Sequence, residues 1–267
     1  MKIRSSREIL GIFILVLMTG CDFQETSVDP IVIPNIDTEF SIRMYEKLGQ
    51  NGRDLYFDLA SIVETNCLNG TVSYSLINQD ENLDLSIKKI VDPLDCSVGI
   101  GHYHSDVSLG ALDAGKVYNL TVRLQDVIEN HGFLSVDDEK YTINLNTLYG
   151  LEIPNTTLYK IPSDLVWGYI AISHLNQREA ADAFLAHILT YGTPKLLKEG
   201  NYGHFDVLPS GQLVGFETEI IANPLTIIPL SMDFTGNWAT LTTEIDGFRN
   251  DRPDIEVKLF NSFGKEY

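Results

Sequence analysis

The sequence predicts a mainly β protein, with a β-sandwich over residues 39–150 and a small α+β unit over residues 151–267 in which one helix packs on an antiparallel sheet. In the first region, short segments alternate apolar and polar residues, which is the pattern of half-buried strands. Turn-forming residues separate these segments at intervals of about ten residues, as in sandwich domains. In the second region, a continuous apolar run precedes a segment with helical spacing.

The first region contains several segments with strand-like alternation. They are residues 40–44, 55–59, 72–76, 83–87, 117–124 and 141–145. The turn residues between them are Asn51-Gly52, Asn69-Gly70, Asp113-Ala114-Gly115 and His131-Gly132. Glycine, asparagine and aspartate adopt the backbone angles that tight turns need. Residues 109–122, LGALDAGKVYNLTV, resemble the turn-then-strand corner of immunoglobulin-like modules, and this resemblance implies an immunoglobulin-like sandwich but no activity.

The second region begins with a buried strand at residues 165–172 and continues with a helix. Asn176 followed by Glu179 predicts a capping box at the helix start. Residues with apolar spacing follow at Ala180, Ala183, Phe184, His187, Ile188 and Tyr191, and Gly192 and Pro194 predict the stop. Further extended segments are predicted at 204–208, 212–218, 224–230, 239–245 and 255–260, with a hairpin turn at 209–211. The competing interpretation is one extended β protein with an embedded helix.

The composition argues against nucleic-acid binding. The chain has 267 residues and a formal net charge of −18, which repels phosphate backbones. Its densest basic positions, Lys88-Lys89 and the pair Lys195 and Lys198, are sparse. We therefore expect no nucleic-acid partner; charged partners are expected to be cations, metal ions or basic proteins.

The cysteines predict one disulfide. Apart from Cys21, the chain contains only Cys67 and Cys96. An even pair in an exported chain favours a bridge, because compartments outside the cytoplasm permit oxidation. Two free thiols are the alternative. Metal ligation by this pair is disfavoured, since neither cysteine has a second one close by.

The N-terminal residues 1–20 have the pattern of a secretory signal peptide. Lys2, Arg4 and Arg7 precede an apolar run that is too short to span a bilayer. The segment ends in Met18-Thr19-Gly20 and is followed by Cys21. Together these four residues resemble the lipobox of bacterial lipoproteins. This resemblance implies that Cys21 carries the lipid and becomes the mature N-terminus. An ordinary signal peptide with a chance cysteine is the alternative.

Residues 21–38 are predicted to be the lipidated cysteine and a flexible tether, because the segment is polar, acidic and twice interrupted by proline. The lipid on Cys21 would attach the protein to a membrane. We expect a location in the cell envelope, in the outer membrane of a diderm bacterium, with either the surface or the periplasm as the exposed side.

The densest set of candidate metal ligands is His102, His104 and Asp106. On an extended segment, alternate side chains point the same way, so these three share one side. Two imidazoles and a carboxylate form a sensible set for a divalent transition metal, and His131 or His204 could complete it. The opposing interpretation is a surface loop with two histidines, and we expect no bound cofactor.

Other candidate chemistry is weaker. The oxygen-rich residues 78–84 lack the glycine and the glutamate of a calcium loop, since Leu83 and Lys89 occupy those positions, and are predicted to be a polar hairpin. The second oxygen-rich stretch, residues 246–254, is predicted to be a solvated turn. Nucleophile elbows, metalloprotease helices and phosphate-binding glycine loops are absent from the sequence. His187 lies on the apolar side of the predicted helix, where a core or boundary role is expected. Trp238, flanked by turn residues, is the candidate for an exposed ligand-binding aromatic.

These features predict an exported, membrane-anchored lipoprotein with a non-catalytic binding or structural role at the envelope, whose ligand is an unidentified protein or glycan. A first alternative is a metal-dependent hydrolase that uses the cluster of His102, His104 and Asp106. A second alternative is an acidic envelope inhibitor or immunity protein that binds a basic partner.

Overall fold

Strands account for most of the regular structure. The computed structural model describes residues 37–50, 52–216 and 224–267; the predicted signal peptide, Cys21 and nearly all of the predicted tether lie outside this range. The strands are β1 (Phe40–Gly49), β2 (Gly52–Ser61), β3 (Thr65–Cys67), β4 (Thr71–Gln79), β5 (Asn82–Val91), β6 (Val98–Gly101), β7 (His104–Gly110), β8 (Lys116–Leu124), β9 (Ile128–Val136), β10 (Lys140–Leu145), β11 (Leu151–Glu152), β12 (Thr157–Tyr159), β13 (Leu165–Ile172), β14 (Thr193–Pro194), β15 (Gly200–Asn201), β16 (Asp206–Val207), β17 (Leu213–Val214), β18 (Thr226–Asp233) and β19 (Glu256–Asn261). The prediction of a mainly β protein is confirmed.

Two α-helices occur in the described residues, α1 (Arg178–Ile188) and α2 (Trp238–Asp251). Short 3₁₀ turns at Leu175–Gln177 and Leu189–Tyr191 flank the first of them. No helix in the described part of the chain is long and apolar enough to cross a membrane.

One large curled sheet contains ten strands in the order β11-β1-β2-β7-β4-β5-β8-β9-β10-β12. Most neighbours are antiparallel, but β5 and β8 run parallel over six residue pairs. The β4–β7 junction is a single parallel pair, Thr71 with His104. The inward side chains, among them Phe57, Leu85 and Val122, form one apolar cluster that draws on strands from both sides of this junction.

All six strands predicted by alternation in the first region are confirmed within longer strands. The alternation was informative because each strand buries one face and leaves the other toward solvent, as in the burial of β1 and β8.

The turn predicted at His131-Gly132 is wrong, because both residues lie inside β9. Gly132 pairs with Leu120 on one side and Leu145 on the other. A Cβ atom at this position would overlap the backbone of Asn144 on β10. This glycine therefore permits a close approach of two strands and does not form a turn.

The second region forms a four-stranded antiparallel sheet in the order β14-β18-β13-β19. All eight residues of β13 are buried. Val166 and Ile170 belong to the apolar cluster under α1 and α2, whereas Leu165 and Trp167 belong to a separate cluster on the opposite face. The continuous apolar run of β13 thus follows from its being covered on both faces.

The prediction of one helix on this sheet is wrong, because the segment 239–245, predicted to be extended, belongs to α2. Leu241 and Ile245 are buried four residues apart, which is helical spacing. Asn237 caps the helix by accepting a hydrogen bond from Ala239 N at 2.9 Å. Three threonines in this segment favour strands locally, but tertiary packing outweighs that preference.

The predicted helix at α1 is confirmed, but its predicted capping by Asn176 is not. Gln177 occupies the N-cap position of α1 without a side-chain capping bond. Its side-chain oxygen instead accepts from the backbone N–H groups of Ser173 and His174, just before the preceding 3₁₀ turn, at 2.7 and 2.9 Å. The amide group of Gln177 donates to Asp254 near the start of β19. This buried glutamine therefore ties the helix start to the sheet.

A buried carboxylate joins the large sheet to the chain that follows it. Glu46 on β1 is 0% exposed. Arg53 Nη1 donates to both carboxylate oxygens at 3.2 and 3.3 Å, Tyr141 donates its hydroxyl at 3.1 Å, and the backbone N–H of Ile161 donates at 3.0 Å. Arg53 also donates to the Ile161 carbonyl at 2.7 Å. Burial, with Glu46 nearby, raises the pKa of Tyr141 well above its ordinary value.

Contacts within the chain group residues Ile36–Tyr267 as one compact unit. The two edge strands of the large sheet, β11 and β12, come from residues beyond 150. The division into 39–150 and 151–267 stays a prediction.

The predicted disulfide between Cys67 and Cys96 is confirmed, with a Cα–Cα separation of 5.4 Å. Cys67 ends β3, and Cys96 lies in the loop before β6, so the bridge closes the ribbon formed by these two short strands.

Replacing both Cys67 and Cys96 by alanine should lower the free energy of unfolding by about 3–4 kcal/mol, because the bridge restricts a loop of 29 residues in the unfolded chain. Urea denaturation of the soluble protein measures this loss. Reduced wild-type protein serves as the matched control and should unfold like the double variant. A difference below about 1 kcal/mol between oxidised protein and the variant would contradict the prediction.

Candidate functional site

The predicted metal ligands lie on one exposed side of the large sheet, as their alternation implies. His104 and Asp106 are exposed on β7, and His102 is exposed just before it. The intervening Tyr103 and the following Val107 are buried in the core. The rings of His102 and His104 lie 6.5 Å apart between centroids.

His104 and Asp106 are bonded to protein groups. His104 Nδ1 lies 2.9 Å from Asp58 Oδ1, and Arg43 donates to the other oxygen of Asp58 at 2.6 Å. The hydroxyl of Tyr45 bonds to Asp106, and burial together with this bond raises the pKa of Tyr45. These residues line a cleft of about 470 Å³.

The two histidines considered as additional ligands lie elsewhere. His131 Nε2 pairs with Glu129 at 3.1 Å, and His204 Nε2 donates to the carbonyl of Glu46 at 2.8 Å. Across residues 37–50, 52–216 and 224–267, no group of three or more His, Cys, Asp or Glu side chains is arranged to hold a metal ion.

Trp238, the predicted ligand-binding aromatic, is the first residue of α2 and is partly buried. Its ring makes an edge contact with Phe234 at 6.4 Å between centroids. Both residues line a groove of about 430 Å³, which we call the tryptophan groove. Its other lining residues are Gln50, Asp164, Leu165, Val166, Thr235, Gly236, Asn261, Ser262, Phe263 and Lys265.

The tryptophan groove combines aromatic rings with polar side chains. Phe263 is 51% exposed, so its ring is open to a ligand. The side chains of Gln50, Asp164, Thr235 and Lys265 make no hydrogen bond to other described residues. The groove therefore offers flat apolar surfaces beside donors and acceptors that the described protein does not use.

A larger groove of about 570 Å³ lies where the large sheet meets the chain that follows it. Cationic side chains line it from distant parts of the sequence, namely Arg53, Lys160, Lys195 and Lys198. Asp138 and Glu139 are its acidic lining residues. We call it the basic groove. In a chain with a net charge of −18, this concentration of cations is unusual.

Three of these cations have acidic partners. Lys195 Nζ pairs with Asp233 at 2.9 Å, Lys198 Nζ pairs with Glu139 at 2.5 Å, and Arg53 pairs with buried Glu46. Lys160 differs, because among the described residues its ammonium donates to a neutral group, the backbone carbonyl of Asp137 at 2.5 Å.

The floor of the basic groove is aromatic. Tyr159 and Tyr202 stack at 5.4 Å between centroids, with 26° between their planes. Burial raises the pKa of Tyr202 to about 12, and its hydroxyl donates to the Lys198 carbonyl at 3.2 Å. The phenol of Tyr202 therefore stays uncharged at neutral pH.

Sequence reasoning did not find the basic groove. Lys195 and Lys198 stood out only as a sparse basic pair, and Arg53 and Lys160 lie far from them in sequence. The hydrogen bond from Arg53 to Ile161 brings these positions together, and no local pattern reveals it.

The comparisons with known proteins add no relative: no protein family model, no curated protein and no solved structure matches this chain significantly.

Proposed function

We propose that this chain is an exported lipoprotein that binds a glycan in the tryptophan groove and has no catalytic role. The observation that carries the proposal is the presence of three aromatic side chains, Phe234, Trp238 and Phe263, in one groove with polar side chains that bond to no other described residue. Sugar rings have apolar C–H faces that pack on aromatic rings, and hydroxyl edges that need hydrogen-bond partners.

Some polar residues of the tryptophan groove hold the local backbone in place, and others can contact a ligand. Asn261 Oδ1 accepts from the backbone N–H groups of Phe263 and Lys265, and the Ser262 hydroxyl donates to the Ser163 carbonyl. These contacts fix the turn that presents the Phe263 ring. The side chains of Asp164 and Thr235 bond to no other residue in the described part of the chain, which suits them to bind sugar hydroxyls.

The attachment to the membrane rests on the sequence. A lipid on Cys21, followed by an acidic tether, would hold the binding unit away from a membrane surface. The net charge of −18 supports this arrangement, because anionic headgroups would repel the protein itself. The envelope location, in the outer membrane, is part of the same proposal.

The proposal includes an immunoglobulin-like sandwich for residues 39–150. Support comes from the β4–β7 junction, where a single residue pair connects two well-paired groups of strands. Side chains from both groups share one core, as the facing halves of a sandwich do. Such a framework is rigid and would serve as a support for a binding surface.

Replacing Trp238 by alanine should weaken glycan binding at least about tenfold, because the variant loses the largest aromatic ring of the groove. A glycan array on the soluble protein identifies the ligand, and titration calorimetry measures the affinity of each variant. Phe133→Ala removes an exposed aromatic ring (39%) from the large sheet, outside the groove, and should bind like wild type. Absence of any glycan ligand, or equal binding by Trp238→Ala, would overturn the proposal.

Replacing Cys21 by alanine should abolish incorporation of radiolabelled palmitate and release the protein from the membrane fraction of the cells, because this thiol is the proposed lipid attachment point. Cys67→Ala is the matched control and should keep the label. Membrane retention of Cys21→Ala with the label intact would contradict lipidation at this residue.

A further inference from the structure

We propose that the basic groove is a second binding site, which takes a small ligand with a carboxylate or phosphate group attached to a ring, and that Lys160 is the main contact of the anionic group. The proposal is independent of glycan binding in the tryptophan groove, since the two grooves share no lining residue.

The electrostatic environment of Lys160 favours a bound anion. This side chain is partly buried, and its ammonium lies 4.8 Å from the Tyr141 ring centroid. It has no carboxylate ion-pair partner among the described residues, where it donates to the Asp137 carbonyl. Removing a cation from water without a counter-ion is unfavourable, so an anion entering the groove would gain a contact that the protein leaves open.

Burial and the charged groups around Lys160 together set its pKa. Burial has the largest effect and lowers the pKa of Lys160, and the charge of Arg53 lowers it further. The carboxylates of Glu46, Asp137 and Asp138 oppose this shift, because they favour the charged form. Glu46, which has the largest effect of these carboxylates, is itself held by Arg53 and Tyr141. A bound anion would raise the pKa of Lys160 again.

Further hydrogen-bond donors line the basic groove beside Lys160. Arg53 uses Nη1 for Glu46 and Ile161, which leaves its other nitrogens without a partner among the described residues. Lys195 and Lys198 are 37% and 62% exposed and form surface ion pairs, which contribute little and exchange readily. These side chains can therefore turn toward a ligand at small cost.

The Tyr159 ring in the basic groove favours a ligand that contains a ring. Gly200 lies against the Tyr159 ring, and a Cβ atom there would come within 2.6 Å of a ring carbon. The φ angle of Gly200 is +139°, which other residues rarely adopt. This glycine lets Tyr159 pack closely on its neighbours, and the partly exposed ring of Tyr159 suits a ring-shaped ligand that carries the anion.

Titration calorimetry at neutral pH and low salt tests the proposal with glucose 6-phosphate, glucuronate, inorganic phosphate and uncharged glucose as probes. We expect glucose 6-phosphate or glucuronate to bind the full mature protein more tightly than glucose by at least about tenfold. Tighter binding of the phosphate ester identifies phosphate as the preferred group, and tighter binding of glucuronate identifies carboxylate; either outcome supports the site.

The variants locate the contact. Lys160→Met should weaken binding of the preferred probe at least about tenfold, and Lys160→Arg should restore most of the affinity. Lys88→Met removes one positive charge from the exposed Lys88–Asp126 pair and should bind like wild type. The proposal is overturned if no charged probe binds below about 10 mM, if glucose binds equally well, or if Lys88→Met and Lys160→Met weaken binding equally.

Discussion

The buried carboxylate of Glu46 is the interaction on which the arrangement of the described chain depends. A charge removed from water is costly unless hydrogen bonds and an opposite charge compensate for it. Arg53, Tyr141 and the N–H of Ile161 provide that compensation, and they come from β2, from β10 and from the segment that follows β12. One side chain thus fixes the large sheet and the start of the next region in a single geometry.

The contacts around Glu46 determine where both grooves lie. Its backbone carbonyl accepts from His204, whose ring contacts Trp167 in the cluster on the outer face of β13. Holding Ile161 in place also positions Lys160 beside Tyr141, at the wall of the basic groove. The segment 162–165 then passes between the two grooves and contributes residues to each. The proposed sites are therefore consequences of the same packing arrangement.

The sequence predicted the parts of the fold that local patterns control. Alternation located β1 and β8, the apolar run located β13, and cysteine counting located the disulfide. Prediction from local patterns failed where long-range packing determines the secondary structure. The helix α2 is an example, because it forms where its apolar residues pack against α1 and the sheet. The tryptophan groove contains one residue that was predicted, Trp238, whereas its partner Phe263 is 25 residues away in sequence and no local signal connects them. The basic groove could not be predicted, because it depends on the hydrogen bond between Arg53 and Ile161, which are 108 residues apart in sequence.

The free energy of unfolding of Glu46→Gln tests the central role of this carboxylate most directly. An amide of the same shape keeps one acceptor oxygen but leaves Arg53 without its buried counter-ion. Urea denaturation should show a loss of about 3–5 kcal/mol, against a loss below about 1 kcal/mol for Asp126→Asn, which breaks the exposed pair with Lys88. Equal, small losses in the two variants would contradict the account, since the two regions would then be held together without the Glu46 network.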